Sequence, residues 1–269
     1  MNILYVGDIM ADTGIQTVEQ LLPDICSELA IDFVVAQAEN VTNGKGIIPG
    51  DMSRLQAVGV DAFSGGNHSL HLPQIRGAMN DPSSPIVRPA NYPAGTLGLG
   101  YKYVKASQNK LEGMVLIISL LGQIVGRDSD KPVDNPLQVI DSILITEKNT
   151  PRLATIVNFH GDYSSEKVII GNYLDGRVTA VIGDHWHVPT ADARVLPGGT
   201  AHMTDVGMCG ALDASLGVKF ESVIPRWRDG LQSRNIMETQ GPRQFNALLV
   251  EVNDQSGLAN SVQHIRRII

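Results

Sequence analysis

The pentapeptide GDHWH at residues 183–187 directly follows an apolar run, VTAVI, at residues 178–182. This run has the β-branched and apolar composition of a buried strand. If the strand continued, His185 and His187 would face the same side, because residues two apart in a strand point the same way. Two adjacent imidazoles can bind a metal ion, but an isolated pair of this kind is more often two half-exposed histidines at a strand end. Ligand-type residues at other strand ends decide between these interpretations.

The composition is typical of a globular protein with alternating strands and helices. Of the 269 residues, 43% are hydrophobic and 18% are charged, which is enough for a sizeable core and too apolar for a disordered chain. Strand-like and helix-like segments alternate without repeats or an evident linker. Asp12 or Thr13 can cap an early helix, and Asn135 can cap a later one. We therefore expect one domain over residues 1–269.

Charge and hydropathy exclude several classes of protein. The formal net charge of −7 argues against an extended nucleic-acid-binding surface, since such affinity comes from basic patches. Apolar runs fall short of the ~20 residues needed to span a bilayer. The opening MNILYVGD is typical of a first strand and not of a secretory signal, so we expect a cytoplasmic protein without membrane contact. Cys26 and Cys209 are too few for a disulfide framework.

Four further strand-like runs lead to side chains that can bind metal ions. Residues 3–6 precede Asp8, residues 33–36 precede Glu39 and Asn40, residues 62–64 precede Asn67 and His68, and residues 155–159 precede His160. Ligands of α/β proteins bind outside the carboxyl ends of the strands. Asp8 or Asn67 alone would more often be a helix cap or turn residue. The whole series is better explained by two adjacent divalent ions, which require carboxylate, amide and imidazole ligands.

The ordered series GD, AEN, GNH, FH and HxH resembles the calcineurin-like metallophosphoesterases. The connecting segments are similar to the bacterial YmdB-like branch of that superfamily: NGKG at 43–46, VRPANYP at 87–93, SSEK at 164–167, DGRVTAVIG at 175–183 and VPTADARVLPGGTAHMTDVGM at 188–208. The resemblance covers nearly the whole chain. It implies an α/β fold, a four-layer αββα sandwich of two mixed β-sheets flanked by helices. It also implies a dinuclear metal centre and phosphodiesterase activity, including activity on 2′,3′-cyclic nucleotides.

Carried over position by position, the resemblance implies two metal sites that share Glu39. The first site would comprise Asp8, Glu39, Asn40 and His187, and the second would comprise Glu39, Asn67, His160 and His185. The wider superfamily usually has a histidine two residues after the first aspartate, where this chain has Met10. As in the YmdB-like branch, Asn40 would take its place. The oxygen-rich first site favours iron or manganese, with magnesium and zinc as alternatives. The two sites together would hold two divalent or mixed-valence ions.

The implied mechanism assigns roles to charge and to one further histidine. Two ions would attract an anionic phosphate to an acidic protein, and a metal-bound hydroxide would attack phosphorus in line. His68 is the candidate general acid for the leaving alkoxide, and the alternative is a hydrogen bond that supports the ligands. Lys167, Arg88 and Arg194 could also contact phosphate, although ordinary pairing within the protein is the simpler interpretation of each.

We therefore predict a dinuclear-metal-dependent phosphodiesterase, a phosphoric diester hydrolase acting on 2′,3′-cyclic nucleotides or similar small diesters. The alternatives are a phosphomonoesterase or phosphoprotein phosphatase, and a non-catalytic regulatory protein that binds metal. Asp184, Trp186 and the stretch SLH at residues 69–71 depart from the resemblance near the metal ligands and bear on substrate range. Asp184 could orient an imidazole or add charge at the pocket rim, and Trp186 should point to the opposite strand face from the ligands. The resemblance also suggests a homo-oligomer.

Overall fold

A computed structural model of the protein describes residues 1–106, 112–125 and 131–269. The strands in these ranges are β1 (Asn2–Val6), β2 (Asp8–Ile9), β3 (Phe33–Gln37), β4 (Ala62–Ser64), β5 (Tyr101–Lys105), β6 (Met114–Leu121), β7 (Ala154–His160), β8 (Ala180–Asp184), β9 (Arg194–Val195), β10 (Ala201–Met203), β11 (Met208–Ala211), β12 (Arg243–Val252) and β13 (Ala259–Ile268). The helices are α1 (Ala11–Glu28), α2 (Pro49–Ala57), α3 (Arg76–Asn80), α4 (Pro136–Thr146), α5 (Ser164–Tyr173) and α6 (Phe220–Asp229), and a 3₁₀ turn (Pro73–Ile75) precedes α3.

The first sheet contains the strands that begin the chain. Its order is β2-β11-β12-β1-β3-β4, and β13 pairs with β12. β1, β3 and β4 run parallel, whereas β12 is antiparallel to both β1 and β13. Successive residues of a strand face opposite sides, so Ile3 and Tyr5 of β1 join one apolar cluster while Leu4 and Val6 join another. This sheet is therefore covered on both faces.

The second sheet has the order β5-β6-β7-β8-β10-β9. β6, β7, β8 and β10 run parallel, and the antiparallel strands β5 and β9 pair with β6 and β10. Because parallel strands end at the same edge of a sheet, β7 and β8 deliver their last residues side by side. His160 at the end of β7 lies opposite Asp184 at the end of β8.

The apolar core forms three layers. The middle layer joins the two sheets and includes Tyr5 of β1 and Ile182 of β8. One outer layer packs α1 and α2 on the first sheet, and the other packs α4 and α5 on the second. Two mixed sheets flanked by helices confirm the predicted four-layer α/β architecture. Among the described residues, no helix is long and apolar enough to cross a lipid bilayer.

The helix starts were predicted with mixed success. The side chain of Asn135 caps α4 by accepting hydrogen bonds from the backbone at the start of the helix, as predicted. The capping prediction for α1 was wrong, because this helix begins at Ala11 and Asp12 and Thr13 lie inside it. The backbone N–H of Ala11 instead donates to the carbonyl of Asn40, 3.0 Å away. A backbone carbonyl from the segment after β3 thus takes the place of a side-chain cap.

Candidate metal centre

The carboxyl ends of parallel strands from both sheets converge on one cluster of polar side chains. β1 leads to Asp8 in β2, β3 leads to Glu39 and Asn40, β4 leads to Asn67 and His68, β7 ends at His160, and the segment after β8 carries His185 and His187. Each of these residues contacts another member of the set. The structure therefore brings together all seven predicted ligands and His68.

Asp8, Asn40 and His187 form one side of the cluster and are all buried. Nδ2 of Asn40 lies 3.1 Å from Asp8 Oδ1 and 3.1 Å from His187 Nε2. The amide nitrogen of Asn40, and not its oxygen, thus faces the two predicted co-ligands. Ligation by Oδ1 of Asn40 requires a half-turn of the amide, which would break its 3.1 Å contact with Nδ1 of His68.

Glu39, Asn67, His160 and His185 form the other side. Nε2 of His160 lies 3.2 Å from Glu39 Oε1 and 3.1 Å from Asn67 Oδ1. The rings of His160 and His185 meet edge to face, with centroids 4.4 Å apart. Glu39, His160 and His185 present ligand atoms within 4.8 Å of one another, and so do Asp8, His160 and Asp184. Because Glu39 and Asn40 are consecutive, the end of β3 joins the two sides.

Asp184 fixes the orientation of His160 from within the protein. Its Oδ1 accepts a 2.6 Å hydrogen bond from Nδ1 of His160. Its Oδ2 accepts hydrogen bonds from Tyr5 Oη (2.7 Å), Gln37 Nε2 (2.8 Å) and Asn158 Nδ2 (2.5 Å). With Nδ1 bonded to Asp184, Nε2 is the ring nitrogen of His160 that faces Glu39 and Asn67. The prediction that Asp184 could orient an imidazole is confirmed. The alternative of a charge at the pocket rim is wrong, because this side chain is fully buried.

The polypeptide leaves the strand before it reaches the two histidines of the pentapeptide. β8 ends at Asp184, and His185 and His187 have φ angles of 103° and 63°. Such left-handed backbone is uncommon for residues other than glycine and persists where the surrounding structure holds it. The expectation that a continued strand aligns the two histidines is therefore wrong, and Trp186 does not lie on a strand face. A turn with two left-handed residues brings both imidazoles to the cluster.

Lys167 and Asp205 hold this turn in place. Nζ of Lys167 donates to the carbonyl of Asp184 at 2.5 Å and to Oδ2 of Asp205 at 2.8 Å. The same carboxylate oxygen accepts from the backbone N–H of Trp186 at 2.9 Å, and Nζ of Lys167 lies 4.2 Å from the centre of the Trp186 ring. Both charged side chains are fully buried. Lys167 therefore pairs within the protein, as does Arg88, whose guanidinium donates to backbone carbonyls.

Gly66 is a functional residue that sequence reasoning missed. A Cβ at this position would overlap Oε2 of Glu39 and would stand 2.5 Å from Cδ2 of His160. Only glycine lets these two side chains approach each other across the end of β4. Its signal in the sequence is the pair of glycines at residues 65–66 immediately before Asn67. Asp162 was missed as well; its Oδ1 lies 3.1 Å from Nε2 of His185.

Buried carboxylates dominate the electrostatics of the cluster. Burial and the charge of Asp184 raise the pKa of Asp8 well above its usual value. Burial also disfavours ionisation of Glu39, but the imidazole of His160 helps to lower the pKa of this carboxyl well below its usual value. Burial lowers the pKa of His187 to about 4. This imidazole is therefore neutral near neutral pH, which is the form that binds metal.

These residues fit divalent metal ions in chemistry and, apart from the amide of Asn40, in orientation. Carboxylate oxygens, amide oxygens and neutral imidazoles are common ligands of iron, manganese and zinc in proteins. In His160, one ring nitrogen is bonded to a carboxylate while the other faces ligand-type atoms, as is usual for metal-binding histidines. A cation beside Asp8 would also offset the repulsion from Asp184. The cluster is thus compatible with metal binding.

His68 lies on the accessible side of the cluster. Its Nδ1 is 3.1 Å from Glu39 Oε1, and its backbone N–H donates to Glu39 Oε2 at 3.2 Å. The side chain is 25% exposed, whereas that of His160 is fully buried. A cavity opens beside His68 and Asn67. This position suits a group that exchanges protons with a bound molecule or with solvent.

Comparisons with known proteins agree with this architecture. The model of the family described as YmdB-like protein matches residues 4–265. A 2′,3′-cyclic-nucleotide 2′-phosphodiesterase of Bacillus subtilis (strain 168) is 35% identical over 266 residues, which cover 98% of this chain and 96% of that protein.

Solved structures extend the similarity to the whole fold. The crystal structure of a hypothetical protein from Thermus thermophilus has a TM-score of 0.87 at 32% identity and covers 100% of this chain and 99% of that one. The crystal structure of a novel phosphatase from Mycoplasma pneumoniae has a TM-score of 0.89 at 27% identity, with coverage of 100% and 93%.

Proposed function

We propose that this chain, which belongs to the YmdB-like protein family, is a metal-dependent phosphodiesterase that hydrolyses 2′,3′-cyclic nucleotides or similar small diesters. One observation carries the proposal. His160 is fixed by Asp184 through Nδ1, and its Nε2 faces Glu39 and Asn67 in a buried cluster assembled from both sheets. The similarity to a cyclic-nucleotide phosphodiesterase over nearly the full length of both chains supports the choice of substrate.

The cluster supplies enough ligands for two ions. Asp8, Asn40 and His187 would hold one ion, Asn67, His160 and His185 would hold the other, and Glu39 would contact both. When bound, such ions supply Lewis acidity toward the phosphate oxygens and lower the pKa of water to near neutrality. Asp184, Lys167 and Asp205 would orient the histidines, so that the imidazoles would need little reorganisation when ions bind.

His68 would donate a proton to the leaving group. Water adds to phosphorus, the bond from phosphorus to one ester oxygen breaks, and the departing alkoxide takes a proton from His68. The proton released by the attacking water passes to solvent, from which His68 is reprotonated. Nδ1 of His68 faces Glu39 and Asn40. Nε2 is therefore the ring atom that would serve the leaving oxygen.

A comparison of diester and monoester hydrolysis tests the proposal. We expect the manganese-loaded protein to hydrolyse bis-p-nitrophenyl phosphate and adenosine 2′,3′-cyclic phosphate with higher kcat/KM than p-nitrophenyl phosphate. Faster turnover of the monoester would favour a phosphomonoesterase or phosphoprotein phosphatase. A metal-loaded protein inert toward every ester would favour the regulatory alternative.

A further inference from the structure

Helix α6 carries apolar side chains on two faces. Its inner face, which includes Val223, packs with Met10 in a small apolar cluster next to the first sheet. A surface helix normally has one apolar face of this kind and a polar outer face. On α6, however, Phe220, Ile224 and Trp227 are exposed, and 84% of Trp227 is accessible to solvent. The helix therefore presents a second apolar stripe to solvent.

The spacing of the exposed residues is that of a seam between two packed helices. The stripe comprises Phe220, Ile224, Trp227 and Leu231, which follow one another at intervals of four, three and four residues. One helix packs against another through apolar residues at these intervals. Leu231 lies directly after Gly230, which ends the helix with a φ angle of 68°. The stripe therefore suits the side of a second helix.

The chain after α6 turns back along the helix and broadens the apolar surface. The guanidinium of Arg226 donates to the carbonyl of Ser233 at 2.9 Å, and the backbone N–H of Lys219 donates to the carbonyl of Ile236 at 2.8 Å. The exposed residue Ile236 therefore lies beside the start of the helix. Together with the stripe it presents roughly 600 Å² of apolar surface, at the upper end of the patches found on monomeric proteins. A standard interface buries about 800 Å² per partner, so this surface with its polar rim is large enough for a stable protein–protein contact.

The charges beside the stripe favour a second copy of this chain as the partner. Glu221 directly follows Phe220 near the start of α6, and Arg228 directly follows Trp227 near its end. The two charged residues are exposed and lie two helical turns apart, so they flank the same side of the stripe. If two copies of α6 pack antiparallel about a two-fold axis, the start of each helix lies beside the end of the other. Glu221 of one copy then meets Arg228 of the other, and the same pair forms twice.

The same charges disfavour an anionic partner such as a nucleic acid or an acidic lipid surface. Such partners are bound by clusters of available basic side chains. Arg226 is bonded within the subunit to Ser233 and Asn235. Arg228 pairs with its neighbour Asp229 at 2.8 Å, in an exposed contact that contributes little and can be exchanged for another carboxylate. The protein as a whole carries a net charge of −7, which would repel a polyanion.

We propose that α6 and the segment that returns along it, residues 219–236, form a two-fold interface between two copies of this chain, with the two α6 helices packed antiparallel. The apolar stripe of each copy covers that of the other, and Trp227 is the anchor because large aromatic side chains dominate interface energetics. Glu221 and Arg228 pair across the interface and fix the relative direction of the helices. The interface lies outside the metal cluster and does not depend on the proposed function.

The molecular mass in solution, measured by sedimentation equilibrium over a range of protein concentrations, tests the interface. We expect the wild-type protein to form dimers, or a larger assembly built from dimers. Trp227→Glu places a charge in the seam and should raise the dissociation constant of the dimer at least about 30-fold, the usual effect of losing an interface anchor. Ile145→Glu is the matched control, because Ile145 is 74% exposed on α4, a helix of the other sheet. This control variant should associate as the wild type does.

Exchange of the two charges tests the antiparallel arrangement. Glu221→Arg alone, or Arg228→Glu alone, brings like charges together in both symmetry-related pairs and should raise the dissociation constant about tenfold or more. The variant that combines Glu221→Arg with Arg228→Glu should recover the dissociation constant of the wild type, because the opposite charges face each other again.

Several outcomes would overturn the interface. A wild-type protein that is monomeric at every concentration contradicts it, and so does an assembly whose mass and dissociation constant are unchanged in Trp227→Glu. Failure of the combined charge exchange to restore association would overturn the antiparallel pairing. Binding of the wild-type monomer to phosphatidylglycerol vesicles or to an oligouridylate, lost in Trp227→Glu, would assign the stripe to a lipid surface or a nucleic acid instead. None of these measurements uses turnover, so they are separate from the test of the proposed function.

Discussion

At the scale of single residues, substitution of His68 tests whether this side chain donates a proton or supports the metal ligands. His68→Ala should lower kcat for a cyclic nucleotide by ~10²–10⁴, the usual contribution of a general acid. The loss should be smaller for bis-p-nitrophenyl phosphate, because nitrophenolate leaves without protonation. Metal content, measured by elemental analysis, should be nearly unchanged.

His264→Ala is the control for the loss of an imidazole, because His264 lies on β13 and bonds to the carbonyl of Val206. A parallel loss of metal and of activity in His68→Ala would instead make His68 a support of the ligands.

Gly66 gives a second prediction at the residue scale. Gly66→Ala places a methyl group between Glu39 and His160, so the ligands must move apart. We expect metal affinity to fall about 10–100-fold, as for other disturbances next to metal ligands, and calorimetric titration of manganese into the metal-free protein measures it. Gly77→Ala in α3 is the matched control, because a Cβ there meets open space. Equal affinities in the two variants would contradict the account.

The sequence predicts the members of the cluster better than it predicts their supports. Asp8 and Asn67 could be identified because strand ends in α/β folds share an edge. The left-handed backbone conformations of His185 and His187 could not be predicted, because glycine is the residue that usually indicates such a conformation in a sequence. The role of Gly66 was missed for a different reason: a glycine before a loop is ordinarily explained by the conformation of the turn.

At the scale of elements, the turn after β8 depends on a buried ion pair. Lys167→Met would leave Asp205 buried without its partner, which typically costs about 3–5 kcal/mol of folding free energy. Urea unfolding should show this loss of stability. The metal content of the variant should also fall, because His185 and His187 lie in the turn.

Arg267→Ala removes an exposed pair with Glu28 and should change stability by less than about 1 kcal/mol. A comparably small effect of Lys167→Met would show that the turn is held by other contacts.

Strands could be predicted from the sequence where a single apolar pattern dominates. The long parallel strands are continuous apolar runs because both faces are buried, and all the predicted runs appear as strands. The start of α1 was not predictable, because the backbone N–H of Ala11 donates to the carbonyl of Asn40, which lies in the segment after β3. A contact between residues far apart in sequence leaves no local signal.

At the scale of the whole molecule, the cluster joins the two sheets. Asp8, Glu39, Asn40 and Asn67 follow strands of the first sheet, whereas His160, His185 and His187 follow strands of the second. Between these groups lies the polar end of an otherwise apolar interface, where Tyr5 and Gln37 reach across to Asp184. The fold class could be predicted from the alternation of strands and helices together with the motif series. The contacts between the two sheets could be identified only in the structure.

The most direct test of the central claim is the metal content of the wild-type protein and of Glu39→Ala, purified without chelator, with manganese-dependent hydrolysis of a phosphodiester measured on the same samples. We expect about two transition-metal ions per wild-type chain, the number of a dinuclear hydrolase. Glu39→Ala should lose metal and activity together. A wild-type protein without bound metal and without manganese-stimulated hydrolysis would contradict the account and favour a regulatory protein.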